Sequence, residues 1–175
     1  MLLHLLHTLM RSRGHGVHSP SAFDFITNVA CQPLPFYGYD TLAAECRGVA
    51  LAQAKLALRV VNRLQPASVA ITGGISHIAT AVKLASSAAV ITPDLRSDSA
   101  MLIAAASEAD ALASAIARGV PAIALATRSS LSSECIDALQ AALPSGHIIY
   151  DRRIAAILLP RTGLEPQAFE IRIPR

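Results

Sequence analysis

The stretch VAITGGISHIATA, residues 69–81, decides how the fold of this 175-residue chain is read. An apolar run ends at Gly73 and Gly74, and apolar residues at helical spacing follow. This pattern predicts a buried strand, a tight turn and a helix, which together begin a βα unit. The two glycines either let the backbone approach a ligand or only permit the turn, and the stretch alone leaves both interpretations open.

The remainder of the chain continues this alternation, which is typical of a parallel α/β sheet. The segment AMLIAAA (100–106) fits a strand or the first turns of a helix, and we favour a strand to about residue 105. The other predicted strands are 68–72, 88–92, 120–127, 147–151, 154–160 and 169–173. The predicted helices between them are 76–85, 108–118 and 129–143. The last three strands are expected to form antiparallel hairpins at one sheet edge.

Helices are predicted ahead of the first strand. Ser19 can cap a helix that begins at Pro20, and a long helix is expected from Asp40 to Leu64, where Pro66 follows. We therefore divide the chain into an N-terminal helical cap, residues 1–45, and an α/β domain, residues 46–175, which form one compact unit.

Composition limits the classes of function. Hydrophobic residues make up 53% of the chain and charged residues 15%, which excludes disorder and favours a sheet buried on both faces. The formal charge of +3 comes from scattered arginines, and aromatic residues are only 4%, so no nucleic-acid partner is expected. Such a composition also predicts exposed apolar surface of the kind found at a dimer interface.

The cysteines and the N-terminal segment indicate a cytoplasmic location. Cys31, Cys46 and Cys135 are far apart and form no CxxC pair, which is typical of a reducing compartment. Residues 2–11 predict an amphipathic helix, too short to span a bilayer and unlike a secretory signal. It is expected to pack on the domain or to join a homo-oligomer; attachment to a membrane surface is the alternative, and we expect no membrane partner.

Four stretches carry a family resemblance. They are RGHGVHSPSAFDFITNV (13–29), PFYGYD (35–40), LQPASVAITGGIS (64–76) and IIYDRRIAAILLPRTGLEPQAFEIRI (148–173). In this order they resemble a family of bacterial class I S-adenosylmethionine-dependent methyltransferases that carry an N-terminal RGHGxHSPFxFDF signature. The resemblance implies a Rossmann-like α/β sheet with an N-terminal helical cap, a C-terminal antiparallel hairpin and S-adenosylmethionine as cofactor.

The middle of the chain departs from that family. Between Asp94 and the strand at 120–127 there are too few residues for the usual helix, strand, helix and strand. If AMLIAAA is the family's fourth strand, the third strand and its crossover helix are lost. The sheet is then shortened, it ends at the strand 88–92, and the wall that the family builds against adenine is thin or missing.

The resemblance also implies a set of cofactor-binding residues. Gly73 takes the place of the first glycine of the turn, Gly74 and the Ser76 hydroxyl lie beside it, and Asp94 takes the place of the acid that binds the ribose hydroxyls. The acid that holds the methionine end is replaced by Ile71, and a later glycine by His77. The alternatives are a turn without a ligand for the glycines and an ordinary turn aspartate for Asp94.

Three further residues are implied as lining of the cap or substrate site, namely His18, Tyr37 and Tyr39, with loop packing as the alternative. In this interpretation the HGVHSP turn lies against the strand ends. The pairs His4/His7 and His15/His18 have a metal-ligand spacing but lack a third ligand. Alanines fill 104–106, and Ala-Thr-Arg fills 126–128, so no carboxylates for a hard cation are predicted there and metal-assisted O-methylation is disfavoured.

Two functional hypotheses of different classes follow. The first is an S-adenosylmethionine-dependent methyltransferase of unknown substrate, and the second is a non-catalytic methyltransferase-like module for binding or dimerisation. A third possibility is that the pocket holds a different small ligand. The local losses favour the non-catalytic module, and no residue stands out as a general base. The sequence contains neither the GxSxG pattern of serine hydrolases nor a P-loop.

Overall fold

The computed structural model describes residues 17–127 and 131–174, which form an α/β fold compatible with a Rossmann-like architecture. The helices are α1 (Pro20–Phe25), α2 (Tyr39–Glu45), α3 (Gly48–Leu64), α4 (His77–Ala85), α5 (Ala109–Ala117) and α6 (Ser133–Ala142), and a π-helical turn (Ile26–Ala30) extends α1. The strands are β1 (Ser68–Thr72), β2 (Val90–Thr92), β3 (Met101–Ala105), β4 (Ala122–Leu125), β5 (Gly146–Asp151), β6 (Ala155–Pro160) and β7 (Gln167–Glu170).

The strands form one mixed sheet in the order β2-β1-β3-β4-β6-β5-β7. Only β6 pairs antiparallel with its neighbours β4 and β5; every other pairing is parallel. The carboxyl ends of β1–β5 therefore share one edge of the sheet, the carboxyl edge, and their amino ends share the opposite edge, the amino edge.

Both faces of the sheet are buried, which explains the continuous apolar strands. Side chains alternate between two apolar clusters: Met101, Ile103 and Ala105 belong to the first, and Leu102 and Ala104 to the second. The first cluster also contains residues of α1, α3 and α4, and the second contains residues of α5 and α6. Helices thus pack on both sides of the sheet, although Val90 on the edge strand β2 is 59% exposed.

The connection from β2 to β3 is only eight residues long, 93–100, and contains no helix. Thr92 pairs with Ala70, and Ala70 pairs with Leu102, so the chain leaves β2 almost level with the start of β3. To reach β3, the chain has to pass over β1, which is a lateral distance of about 10 Å. Eight residues are long enough to span this distance. The strand β2 is therefore an edge of the sheet, as predicted for the stretch 88–92.

The N-terminal helices confirm one prediction and correct another. The Ser19 hydroxyl accepts a hydrogen bond from the Ala22 amide, with Pro20 in the first turn, as predicted. The long helix expected from Asp40 to Leu64 is wrong, because α2 ends at Glu45 and α3 begins at Gly48. Cys46 and Arg47 between them have an extended backbone, which breaks the helical hydrogen bonding.

The C-terminal strands correct a second prediction. The hairpin of β5 and β6 is antiparallel as expected, but β7 pairs parallel with β5. Both edges of β6 are already paired, with β4 and β5. The chain after Pro160 therefore passes the amino end of β5 and pairs with the free edge of β5. Gly146 lies at this crossing with φ 123°, where a Cβ atom would approach the Leu159 carbonyl oxygen to 2.2 Å.

The remaining predictions concern element limits and the N-terminal segment. The ambiguous AMLIAAA segment is a strand, Met101–Ala105, followed by helix α5, as favoured. The helix predicted at 2–11 and the residues His4, His7 and His15 lie outside the described residues. Among the helices that the structure describes, none is both long and apolar enough to span a lipid bilayer.

Gln53 on α3 is a buried polar side chain that joins the helix to the sheet. Its amide nitrogen donates to the Ala126 carbonyl at 2.6 Å and to the Ile154 carbonyl at 2.9 Å. These carbonyls lie just after β4 and just before β6. Because buried carbonyls are costly to leave without a donor, Gln53 secures the carboxyl edge where the sheet changes direction.

We expect Gln53→Leu to lower the free energy of unfolding by about 1–3 kcal/mol, because it removes the side-chain donor of the Ala126 carbonyl, whereas the Ile154 carbonyl still accepts from the Ala126 amide at 3.0 Å. Urea denaturation of both proteins measures the change. The matched control is Asn62→Leu at an exposed position of the same helix, with an expected effect within about 0.5 kcal/mol. Equal stability of the Gln53 variant and the parent protein would show that these hydrogen bonds contribute nothing to the free energy of unfolding.

Candidate functional site

The turn after β1 contains the two glycines of the opening stretch. Gly73 has φ 83° and Gly74 has φ 70°, both in the left-handed region. A Cβ atom on Gly73 would lie 2.6 Å from the Ala105 Cβ and 3.0 Å from the Glu108 Cγ, whereas one on Gly74 would meet nothing within 4 Å. The close approach of the turn between β3 and α5 is therefore enough to require glycine at position 73.

A cleft of about 450 Å³ opens beside this turn, and we call it the carboxyl-edge cleft. Thr72 ends β1 and Asp94 follows β2, while the other wall is the start and outer face of α5. In open α/β sheets, ligands bind at the carboxyl ends of the strands. The usual place is where one connection crosses one face of the sheet and the next connection crosses the other face. The lining residues are Thr72, Asp94, Leu95, Glu108, Asp110, Ala111, Ser114 and Arg118.

The cleft has a polar and predominantly acidic lining. Asp94, Glu108 and Asp110 contribute three carboxylates, and Arg118 contributes one cation, which donates to the Ser97 carbonyl at 2.9 Å. The Thr72 hydroxyl oxygen is buried and has no hydrogen-bond partner. This set of mostly acceptor groups suits a ligand that presents hydroxyl hydrogens or a positive charge.

The other residues implied for the cofactor lie around the turn rather than in the cleft. Ser76 is exposed at the start of α4 and makes no capping hydrogen bond. Ile71 packs against the first apolar cluster, away from the cleft. Burial lowers the pKa of His77, and its Nε2 atom is buried without a partner. The structure thus brings only Asp94 of the implied set into the cleft lining, beside the turn of Gly73 and Gly74.

The residues implied for the cap are not brought to this cleft. Ser19, next to the exposed His18, contacts His147 at the start of β5, so these two residues lie at the amino edge. The Tyr37 hydroxyl donates to the Leu84 carbonyl near the end of α4. The Tyr39 hydroxyl accepts from Arg59 at 2.9 Å. The expected common mouth of His18, Tyr37 and Tyr39 with the glycine turn is therefore wrong, because these side chains pack at other places.

A second pocket, which the sequence analysis missed, lies at the amino edge. We call it the amino-edge pocket; it has a volume of about 240 Å³. Its buried centre is His147, which is 2% exposed and whose Nε2 atom lies 3.1 Å from the hydroxyls of both Ser19 and Ser21. The available signal was one polar residue at the start of an otherwise apolar strand. The lining residues are Ser21, Asp24, Phe25, Arg63, Leu64, His147, Leu159, Pro160 and Arg161.

The surroundings of His147 favour its neutral form. Burial and then the positive charge of Arg161 lower the pKa of this imidazole, although the Gly146 backbone acts in the opposite direction. The Nδ1 atom is buried and has no hydrogen bond of acceptable geometry. Without a carboxylate to orient the ring, His147 and Ser21 lack the third member that activates a serine nucleophile.

Neither pocket has the ligands of a metal centre, and the comparisons add no family. Within residues 17–127 and 131–174, no group of three or more His, Cys, Asp or Glu side chains is arranged to hold a metal ion. Comparison of the chain with protein-family models, curated proteins and solved structures finds no match.

The contact at Gly73 yields a matched pair of substitutions. We expect Gly73→Ala to lower the free energy of unfolding by more than about 2 kcal/mol, because overpacking adds to the cost of the left-handed backbone. Gly74→Ala is expected to cost only about 1–2 kcal/mol, the backbone term alone. Thermal and urea denaturation measure both.

Ala105→Gly supplies the control, because it removes the methyl group that the new Cβ atom would approach. The double variant with Gly73→Ala should recover part of the loss, whereas Ala105→Gly with Gly74→Ala should recover none. If Gly73→Ala and Gly74→Ala cost the same, the close contact does not explain Gly73.

The histidines with lowered pKa values, His77 and His147, predict a fall in stability below pH 6.5. Their folded-state pKa values lie below the ordinary value of 6.5, so in acid the unfolded chain binds protons that the folded chain does not. Their contribution is complete above pH 6.5 and is lost as the pH falls through that value, at up to about 1.4 kcal/mol per pH unit for each group. Urea denaturation across this range measures the loss.

His147→Gln should reduce this pH dependence, and exposed His18→Gln provides the matched control. A free energy of unfolding that stays constant from pH 7.5 to about pH 5.5 would contradict the prediction, as would an equal slope in the His147 variant and the parent protein.

Proposed function

We propose that this protein is a non-catalytic binding module with a methyltransferase-like fold, and that its carboxyl-edge cleft takes a nucleoside-type ligand through the sugar hydroxyls. The observation that carries the proposal is that Asp94 and Thr72, near the ends of neighbouring strands, line the same cleft and that the Asp94 carboxylate is exposed there. An exposed carboxylate at this edge of the sheet can accept both hydrogens of a vicinal diol.

The connection between β2 and β3 supports this assignment. Because residues 93–100 contain no helix, Leu95 of this connection packs against the second cluster, and Val90 of β2 stays 59% exposed. The cleft stays open to solvent on that side, and Asp94 is exposed within reach of a small ligand. The outer wall supplies Ser114 and Arg118 as further polar groups.

The same region argues against methyl transfer. S-adenosylmethionine would need space for its methionine end beside the glycine turn, but the Ala105 and Glu108 side chains already lie against Gly73. Ile71 offers no hydrogen bond to an amino acid group. No His, Cys, Lys or Tyr side chain lines the cleft among the described residues, so a residue to take a proton from a methyl acceptor is found only among its carboxylates.

Titration calorimetry with adenosine, S-adenosylhomocysteine and S-adenosylmethionine tests the proposal. Adenosine should bind, and the two larger compounds should bind no more tightly, because only their nucleoside part fits. Asp94→Ala should weaken adenosine binding by about 1–3 kcal/mol, since the sugar hydroxyls lose their acceptor.

Asp98→Ala is the matched control, because Asp98 is an exposed carboxylate of the same connection outside the cleft lining. Its effect on adenosine binding should be negligible. Much tighter binding of S-adenosylmethionine, with transfer of its methyl group to any acceptor, would establish the enzyme hypothesis instead. No binding of adenosine at millimolar concentration would overturn the assignment of the cleft.

A further inference from the structure

The geometry of the amino-edge pocket points to a second ligand site, and we propose that it binds a small organic acid with one carboxylate and a compact apolar body. The pocket lies between α1, the end of α3 and the start of the β5–β6 hairpin, at the opposite sheet edge from the carboxyl-edge cleft. The two sites share no lining residue. This inference is therefore independent of the nucleoside assignment.

The buried part of the pocket is held in place by hydrogen bonds. The Nε2 atom of His147 contacts the Ser19 and Ser21 hydroxyls at 3.1 Å each, and these hydroxyls lie 3.2 Å apart. His147 packs edge-on against Phe169, with ring centroids 5.7 Å apart. The network holds the Ser21 hydroxyl at the pocket surface; when Nε2 of His147 carries the ring proton and donates to the serines, the Ser21 hydroxyl can donate to an anionic oxygen.

The charges around the pocket match a monoanion. Arg63 and Arg161 contribute two positive charges, and Asp24 contributes one negative charge. The carboxylate of Asp24 is already engaged, because it accepts from Arg63 at 3.1 Å and from Asn28 at 2.7 Å. With His147 neutral, the net charge of the lining is +1, which one ligand carboxylate balances and a phosphate dianion exceeds.

The rest of the pocket is apolar. Phe25 and Leu64 form one side, and Leu159 and Pro160 form the other. The volume of about 240 Å³ is below that of a typical site for a drug-sized ligand, so the body that fits is small. Arg161 is exposed, and a guanidinium of this kind binds a carboxylate through two parallel hydrogen bonds.

Ligand-observed NMR and calorimetric titration of the full chain with benzoate test the proposal, with benzamide and phenyl phosphate as comparison compounds. Benzoate should bind, neutral benzamide should bind at least tenfold more weakly, and phenyl phosphate should bind more weakly than benzoate. Amide shifts of ¹⁵N-labelled protein should change at Ser21, His147 and Arg161 and not at Asp94 or Ser114.

Arg161→Gln should weaken benzoate binding roughly tenfold or more, because it removes a charge-assisted hydrogen bond. Arg63→Gln is a second variant with the same expected direction. The matched control is Arg153→Gln, an exposed arginine at the far end of the same hairpin, which should leave the affinity unchanged. Thermal denaturation of each variant verifies folding.

Several results would overturn the assignment. One is the absence of benzoate binding at about 10 mM. The others are equal affinities for benzoate and benzamide, and an equal loss of affinity in the Arg153 and Arg161 variants. Tighter binding of phenyl phosphate than of benzoate would replace the carboxylate with a phosphate ester, and shifts centred on Asp94 would move the ligand to the other site.

Discussion

The eight-residue connection between β2 and β3 is the constraint on which the rest of the structure depends. A parallel sheet needs every face covered, and a crossover usually provides a helix for that purpose. Here β2 is only three residues long and ends level with the beginning of β3, so the chain returns without one. The second face above β1 and β2 is consequently thinly covered, and the carboxyl-edge cleft lies there.

Small side chains and a few buried polar groups allow the remaining sheet to pack closely. The second face presents Ala104, Ala122 and Ala124 to helices α5 and α6. Two buried polar side chains pair with the backbone: Gln53 joins α3 to the carbonyls beside β4 and β6, and Asp151 accepts from the amides of Arg153 and Ile173. These bonds lie at the ends of strands, where regular strand pairing stops and backbone groups need other partners.

Local sequence pattern predicts the helices and strands well, but it does not predict which strands pair with each other. The βα alternation predicted the strands, and the shortage of residues after Asp94 predicted a sheet that ends at β2. The parallel pairing of β7 could not be predicted, because it depends on β6 lying between β4 and β5. The family resemblance implied Asp94 as a binding residue, and Asp94 lines the cleft, whereas Tyr37 and Tyr39 are held elsewhere by contacts with Leu84 and Arg59.

The sequence by itself determined the α/β class, the order of the elements and the glycine turn, because apolar periodicity and turn chemistry act over a few residues. Tertiary structure decided what the turn is for: Gly73 is required by the side chains of Ala105 and Glu108, some thirty residues later in the chain. It also brought Ser21 to His147 across 126 positions. Such contacts depend on how strands order themselves in the sheet, which no local pattern encodes.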